Sequence, residues 1–278
     1  NKQQSWKVIM LLHLSFKTKL LILLITAILG LVIVTFVAIG GLSSQQEANN
    51  ELRNLSKIQA SNDHLSIQML DIADRLRSVS VETVQEYLAS THQQVEENTN
   101  TITTSIKKAN SQDLKNALED SLTRINLYSQ SLVALIKEQN IIGFDSSSGL
   151  RGEIDRMGAE ISEDIQKLSL LKREFTNVRK AEASYLSDPT EANLEEFSTS
   201  FTRFDNRIEN FGFQDTHGVK ANAYREAILQ YGQAYVALHE TENTFSQQKD
   251  HFTEGQLATN TLIESKLVEA EEAALKSS

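Results

Sequence analysis

Two arginines are the side chains of this chain best suited to hold an anionic ligand. Arg75 and Arg77 flank the apolar residue Leu76, so both leave a core-facing stripe at its edges. The planar guanidinium group can bond both oxygens of a carboxylate at once. The pair therefore predicts a carboxylate site, and the alternative is that both arginines are solvated beside Asp71 and Asp74.

A lysine in the last predicted helix is the third candidate. Glu242 and Lys249 occupy positions where the apolar stripe predicts apolar residues, and a buried charge is costly unless it is paired. Lys249 lies 29 residues from the end of the chain, about 44 Å along a helix, and Arg75 lies 34 residues beyond Gly41, about 51 Å. If both ends meet a membrane, the two cations stand at similar heights. We therefore predict one ligand site from Arg75, Arg77 and Lys249, with Thr253 one turn below.

The alternative for Lys249 is that the stripe drifts and its ammonium group reaches solvent. A further group of charges surrounds Glu182, which falls on the inward line of its helix beside Arg179 and Lys180. A Glu182–Arg179 pair that locks the helix end is the favoured interpretation. Ligand binding by Arg179 and Lys180 is the alternative.

Enzymatic chemistry finds no support in the residue pattern. The six histidines are scattered, none forms a His-x-x-x-His or Glu-x-x-His pattern, and the chain has no cysteine. A glycine-rich phosphate loop and a nucleophile elbow are also missing from the sequence. We expect no catalytic residue, no metal site and no cofactor, and hence not an enzyme.

An apolar run near the N-terminus predicts how these residues are held. Leu20–Ile39 contains no charge and has the roughly 20 residues that a helix needs to cross a bilayer. Four lysines and no acidic residue precede it, which places the N-terminus in the cytoplasm. A cleaved signal peptide is the alternative, but the run is long and residues 40–44 make a poor cleavage site. We predict a cytoplasmic tail over 1–19, a transmembrane helix over 20–41 and a periplasmic domain over 42–278.

The predicted periplasmic part has a helical pattern throughout. It contains one proline, Pro189, and its apolar residues recur at helical spacing in six segments. The first is predicted to run from Leu42 to about Leu88 with a turn at residues 89–91, and one long helix is predicted from Leu150 to the Ser187–Thr190 turn. Glycines at 143 and 149 bound the clearest loop. The first and last helices are long, which favours an all-α fold of a transmembrane helix and two stacked four-helix-bundle modules built from six helices.

Three stretches of the chain resemble the helical bimodular sensor domain of bacterial chemoreceptors and some sensor histidine kinases. The most specific is a loop and helix start in mid-domain, and another has two basic residues before a Glu and a Tyr-Leu pair. In that stretch Ala183 and Ser184 stand where the family has Lys-Asp. The stretches are Leu14–Leu20, Gly143–Asp145 with Ser148–Glu153, and Val178–Leu186.

The resemblance implies a function and a set of partners. Members of the family form homodimers, bind small ligands such as carboxylates in either module, or read a periplasmic binding protein. Their membrane-proximal site uses arginines from the region of Arg75 and Arg77. The resemblance thus implies that binding moves helices and that the movement crosses the inner membrane to cytoplasmic signalling domains.

We therefore expect the sensor region of a bacterial chemoreceptor, anchored in the lipid bilayer through Leu20–Ile39. A histidine kinase, a cyclic-dinucleotide enzyme and a structural or adaptor protein without a ligand are the alternatives. The net charge of −10 disfavours nucleic acid as a partner. The chain ends at Ser278 before any second apolar stretch, which favours a fragment cut short of a second membrane helix over a single anchor.

Overall fold

The described part of the chain consists of helices joined by short loops. A computed structural model describes residues 16–276, and side chains in the first helix are described at Leu24, at 27–35 and from Gln45 onward. No strand occurs among residues 16–276. A 3-10 turn spans Leu76–Ser78, a π turn spans Gln214–Gly218, and the α-helices are α1 Phe16–Arg75, α2 Val84–Lys108, α3 Gln112–Ile142, α4 Gly149–Asp164, α5 Ser169–Ser187, α6 Glu191–Asn210 and α7 Val219–Lys276.

The first helix ends earlier than its apolar pattern predicts. It stops at Arg75, and α2 begins at Val84, so the predicted turn at residues 89–91 is wrong. Ser80 explains the break, because its backbone N–H donates to Thr83 Oγ1 at 2.9 Å and its hydroxyl to Glu82. Such local bonds compete with helix continuation. The segment between α1 and α2, Leu76–Thr83, is called the elbow below.

A second break divides the single long helix predicted after Leu150. The buried line of α4 includes Ile161 and Ile165, whereas that of α5 resumes at Leu171. The six residues from Ile165 to Leu171 fall short of two helical turns by about 1.2 residues, or roughly 120° around the axis. The chain therefore interrupts the helix between Asp164 and Ser169, and the prediction of one long helix there is wrong. The seven α-helices of the described chain equal in number the predicted membrane helix and six more, but α1 joins the first two of these and α4 and α5 divide another.

The loop predicted between residues 143 and 149 is confirmed. Gly143 has a φ of 111°, and a Cβ atom there would collide with the carbonyl of Ser148. Only glycine satisfies both demands. The Asp145 carboxylate accepts bonds from the backbone N–H and the hydroxyl of Ser147, both at 2.8 Å, and so completes the turn into α4.

Helices α4, α5 and α6, the end of α3 and the first half of α7 enclose an apolar cluster, called the aromatic core. Ring contacts join Phe175 to Phe204 at 4.9 Å and to Tyr224 at 5.6 Å between centroids. The apolar stripe that the sequence predicts along α6 lies here only in part: Phe197, Phe201, Phe204 and Ile208 are fully buried, whereas Leu194 is half-buried and Phe211 is 46% exposed. The largest buried side chains of the core are Phe175, Phe197, Phe201, Phe204, Tyr224 and Tyr231.

The packing of α1, α2 and α3 against the second half of α7 differs in chemistry. Apolar residues such as Leu65 and Phe252 are buried here, but polar side chains stand among them. Asn62 donates to Asn260 at 2.7 Å, and the hydroxyls of Ser121 and Thr259 are 3.0 Å apart. These contacts belong to a group that we call the polar layer: Asn62, Ser66, Ser121, Gln256, Thr259 and Asn260.

The chain divides into two compact units. One contains Ser61–Asn260, and the other contains the described residues up to Ala60 together with those from Thr261. The predicted span Leu20–Ile39 belongs to the second, and its side chains at 20–23, 25–26 and 36–39 lie outside the described ones, as do residues 1–15 altogether. Within the part that the structure describes, no helix is both long and apolar enough to cross a membrane.

Candidate ligand-binding site

The elbow places Arg75 and Arg77 at the edges of two different clefts. Arg75 is the last residue of α1, and Arg77 lies in the following 3-10 turn. Residues two apart on a helix point to nearly opposite sides, so the two guanidinium groups face different neighbours. Both clefts lie in the unit Ser61–Asn260.

The Arg75 cleft lies between the elbow and the start of α2. Its volume is about 250 Å³. Arg75 Nε lies 3.0 Å from Asp71 Oδ2, and Arg75 Nη2 donates to Gln94 Oε1 at 2.7 Å. The guanidinium is therefore held by α1 and α2, with its remaining donors available to a ligand. The lining residues are Arg75, Ser78, Val79, Thr83, Glu86, Tyr87 and Ser90.

The Arg77 cleft is enclosed by four segments: the elbow, α3, the loop after α3 and α7. Its volume is about 270 Å³. Arg77 and Glu242 supply opposite charges, and Gln139 supplies an amide. Leu76, Val79, Leu135 and Phe144 form its apolar wall. This cleft thus contains donors, acceptors and an apolar surface in one place.

Lys249 and Thr253 line neither cleft. Lys249 is half-buried on α7, and Thr253 is exposed with its hydroxyl donating to the Lys249 carbonyl at 2.9 Å. The neighbouring Phe252 packs on Tyr128, whose hydroxyl donates to the carbonyl of Met69. Lys249 therefore lies closer to the level of Met69 than to that of Arg75, about a turn and a half lower on α1. The structure does not gather Arg75, Arg77 and Lys249 into one cleft.

The charges around Glu182 form a compact network. The Arg179 guanidinium lies 2.9 Å from Glu182 Oε2 and donates to Asp155 at 2.8 Å, while the Tyr224 hydroxyl donates to Glu182. Gly158 on α4 leaves room for the guanidinium, because a Cβ atom there would overlap it. Lys180 is exposed. Arg179 thus connects α5 to α4, and the Tyr224–Glu182 bond connects α5 to α7, an arrangement of the kind that the helix-locking interpretation describes.

Burial governs the titration of this network. It raises the pKa of the Glu182 carboxyl, and the hydrogen bond from Tyr224 and the charge of Arg179 oppose that rise only in part. Burial, followed by the nearby Glu182 charge, also raises the pKa of the Tyr224 hydroxyl. Both groups therefore favour their neutral forms more than they would in water.

Sequence reasoning missed most of the residues that line the two clefts. Tyr87 was hidden because the predicted first helix extended past it to about Leu88, and Ser90 because it fell in the predicted turn at residues 89–91. Gln139 and Phe144 contact the cleft only through the course of the loop after α3. Glu242 gave a signal, since it interrupts an apolar stripe, but its role depends on which segments face it.

Comparison with known proteins adds no assignment to this geometry. No protein-family model matches the chain, and no curated protein shows significant sequence similarity to it.

Proposed function

We propose that this chain is the ligand-sensing region of a bacterial transmembrane chemoreceptor, which binds a small organic acid outside the cytoplasm and transmits a helix displacement. The observation that carries the proposal is Arg75, an arginine at the end of a 60-residue helix that also lines a ligand-sized cleft. The resemblance to the helical bimodular sensor domain supports it. The proposal also assigns the aromatic core to one of two four-helix modules and the helices around the polar layer to the other.

Membrane attachment is part of the proposal. On α1 every described side chain between residues 27 and 35 is exposed, including Leu31 and Val34 at 71% and 68%. Apolar residues exposed on every face of a helix require a nonaqueous environment or a partner. We propose that Leu20–Ile39 anchors the chain in the inner membrane, that the remainder is periplasmic and that the receptor is a homodimer.

The ligand chemistry follows from the Arg75 cleft. The guanidinium provides a charge and planar donors for a carboxylate, and the hydroxyls of Ser78, Thr83 and Ser90 line the same cleft. Asp71 shares the guanidinium in the absence of ligand and holds it in place. A carboxylate that binds here contacts both α2 and the end of α1, so it favours one arrangement of the two helices over others.

Ligand binding is tested by thermal unfolding of the full chain in detergent with acetate, succinate, malate and citrate. We expect at least one acid to raise the transition temperature, because binding to the folded state stabilises it by mass action. Arg75→Gln is expected to abolish the shift. Arg156→Gln, which removes an exposed arginine paired with Glu160, is the matched control and should retain it. An absent shift with all four acids, or one that persists in Arg75→Gln, contradicts the proposed site.

Membrane topology is tested separately with single cysteines, since the chain has none of its own. Ser198→Cys introduces a thiol at an exposed position of α6, and Ser5→Cys introduces one in the predicted cytoplasmic tail. A membrane-impermeant maleimide is expected to label the first in intact spheroplasts and the second only after lysis. Labelling of Ser198→Cys only after lysis would contradict a periplasmic domain.

A further inference from the structure

The Arg77 cleft has the composition that a ligand with two opposite charges requires. It has a cation, an anion, an amide and an apolar wall, all contributed by side chains of the unit Ser61–Asn260. We propose that it is a second binding site, selective for a small zwitterion with an apolar body, such as an amino acid. This inference does not depend on the organic acid site at Arg75.

The charges of the cleft are available to a ligand. Among the described residues the Arg77 side chain has neither an ion pair nor a hydrogen bond, and it forms no pair with Glu242 within 4.0 Å. Within the described part of the chain, the contact given for the Glu242 carboxylate is a long one, 3.4 Å to His239 Nδ1. A carboxylate can therefore bind Arg77 while an ammonium group binds Glu242, and neither has to displace a strong internal partner.

The apolar wall gives the site its selectivity for size and shape. Leu135 is buried, while Leu76, Val79 and Phe144 are half-buried and so leave part of their surface for a ligand. Gly143 fixes the loop that carries Phe144, because its φ of 111° excludes most other residues. An aliphatic or aromatic ligand body that covers this wall gains the free energy of removing apolar surface from water.

Gln139 positions the remaining polar group. Its Nε2 donates to the carbonyl of Gly143 at 3.2 Å, which ties α3 to the loop and leaves the side-chain oxygen as an acceptor. An ammonium group can thus reach two acceptors, the Gln139 oxygen and the Glu242 carboxylate. The site as a whole offers donors to one end of a ligand and acceptors to the other.

The position of the cleft gives it a distinct role in the fold. Its two charged residues come from different segments, because Arg77 belongs to the elbow and Glu242 to α7. A ligand held by Arg77 and Glu242 draws these segments together, whereas one at Arg75 contacts α1 and α2. The two sites can therefore report two different chemicals through different pairs of segments.

The test is calorimetric titration of the full chain in detergent with the standard amino acids, γ-aminobutyrate and ε-aminocaproate. We expect at least one zwitterion to bind. If leucine binds, two analogues test its charges: isocaproate lacks the ammonium group and isoamylamine lacks the carboxylate. Each analogue should bind with an affinity lower than that of leucine by a factor of about ten or more. For another responding zwitterion, the analogues are those that lack one of its two charges. Failure of every zwitterion to bind the folded chain overturns the inference.

The two charges are assigned with single variants. Arg77→Gln should abolish the preference for the zwitterion over the amine, and Glu242→Gln should abolish the preference over the acid. Arg156→Gln, which removes an exposed arginine that lines neither cleft, is the matched control and should leave zwitterion binding unchanged. If both Arg77→Gln and Glu242→Gln bind the zwitterion as tightly as the original chain does, this site is overturned. Failure of organic acids to bind at Arg75 would leave these outcomes unaffected, so the two proposals fail separately.

Discussion

The aromatic core and the polar layer bury different kinds of side chain: aromatic rings in the first, and amides and hydroxyls in the second. In the aromatic core Phe175, Phe197 and Phe204 interlock with almost no exposed surface, and the buried polar residue described there is Glu182. In the polar layer Asn62 and Gln256 are as deeply buried, yet Asn62 Oδ1 and Gln256 Nε2 have no hydrogen-bond partner among the described residues. Apolar packing supplies stability, whereas buried amides constrain which positions of two helices face each other. The comparison assigns stability to the first region and helix register to the second.

Removal of one ring tests the first half of that comparison. Phe204→Ala is expected to lower the free energy of unfolding by about 3–5 kcal/mol, because a fully buried side chain is lost and a cavity remains. Phe211→Ala removes the same group from a position that is 46% exposed and should cost much less. Urea unfolding followed by circular dichroism measures both. Equal losses would show that the aromatic core does not have the stabilising role assigned to it.

Two glycines that make room for arginines sharpen the comparison. A Cβ atom at Gly158 would overlap the guanidinium of Arg179, which binds the buried Glu182. A Cβ atom at Gly255 would overlap the side chain of Arg124. The partners of Arg124 are Asp120 and the His251 carbonyl, near the surface. Gly158→Ala should cost about 1–2 kcal/mol. Gly255→Ala should stay within about 0.5 kcal/mol of the original chain, because better helix propensity offsets the displaced arginine. Thermal unfolding of both variants measures the two losses of stability. A larger loss in Gly255→Ala than in Gly158→Ala would contradict the prediction.

A pair of hydroxyls tests the polar layer itself. Ser121→Ala or Thr259→Val alone should cost about 1 kcal/mol, because each leaves the other hydroxyl buried without its partner. The double variant should lose no more than either single one. A double-mutant cycle by urea unfolding measures the coupling. Strictly additive losses would mean that the two hydroxyls do not act as a pair.

The smallest expected effect is a dependence on pH. Burial raises the pKa of Glu182 above its usual 4.5, so the folded chain holds that proton more tightly than the unfolded chain does. The resulting stabilisation is complete below the unfolded-state pKa and is lost as pH rises through the raised folded-state pKa. Relative to Glu182→Gln, which cannot titrate, the free energy of unfolding of the original chain should therefore fall across this window. A difference that stays constant or increases with pH would contradict the raised pKa.

Helices with one uninterrupted apolar stripe could be predicted well from the sequence. On α6 apolar residues recur at Leu194, Phe197, Phe201, Phe204, Ile208 and Phe211. The structure buries the middle four as the spacing predicts, whereas Leu194 is half-buried and Phe211 is exposed near the end of the helix. The interruptions between helices were harder to predict. Near Ser80 and near Ile165 no glycine or proline marks the interruption, and the causes are a local side-chain bond and a shift in the buried line. Such causes become visible only when the neighbouring helices are known.

The candidate site shows the same division between what is local and what is not. The sequence identified Arg75 and Arg77 by type and Glu182 by its inward position, and these properties depend on a few adjacent residues. It could not place Lys249 relative to Arg75, because their separation depends on the packing of α7 against α3 and α1. The cleft residues Gln139 and Phe144 depend on a loop conformation that periodicity does not encode.

Tyr128 has a practical consequence that follows from its position on α3. Its hydroxyl is bonded to the Met69 carbonyl of α1, while its ring contacts Phe245 and Phe252, two turns apart on α7. A sliding movement of α7 along α1 must change the ring environment between those two phenylalanines. A fluorine atom on the Tyr128 ring would therefore report the offset of the two long helices. Its chemical shift, measured by nuclear magnetic resonance, should change as ligand is added.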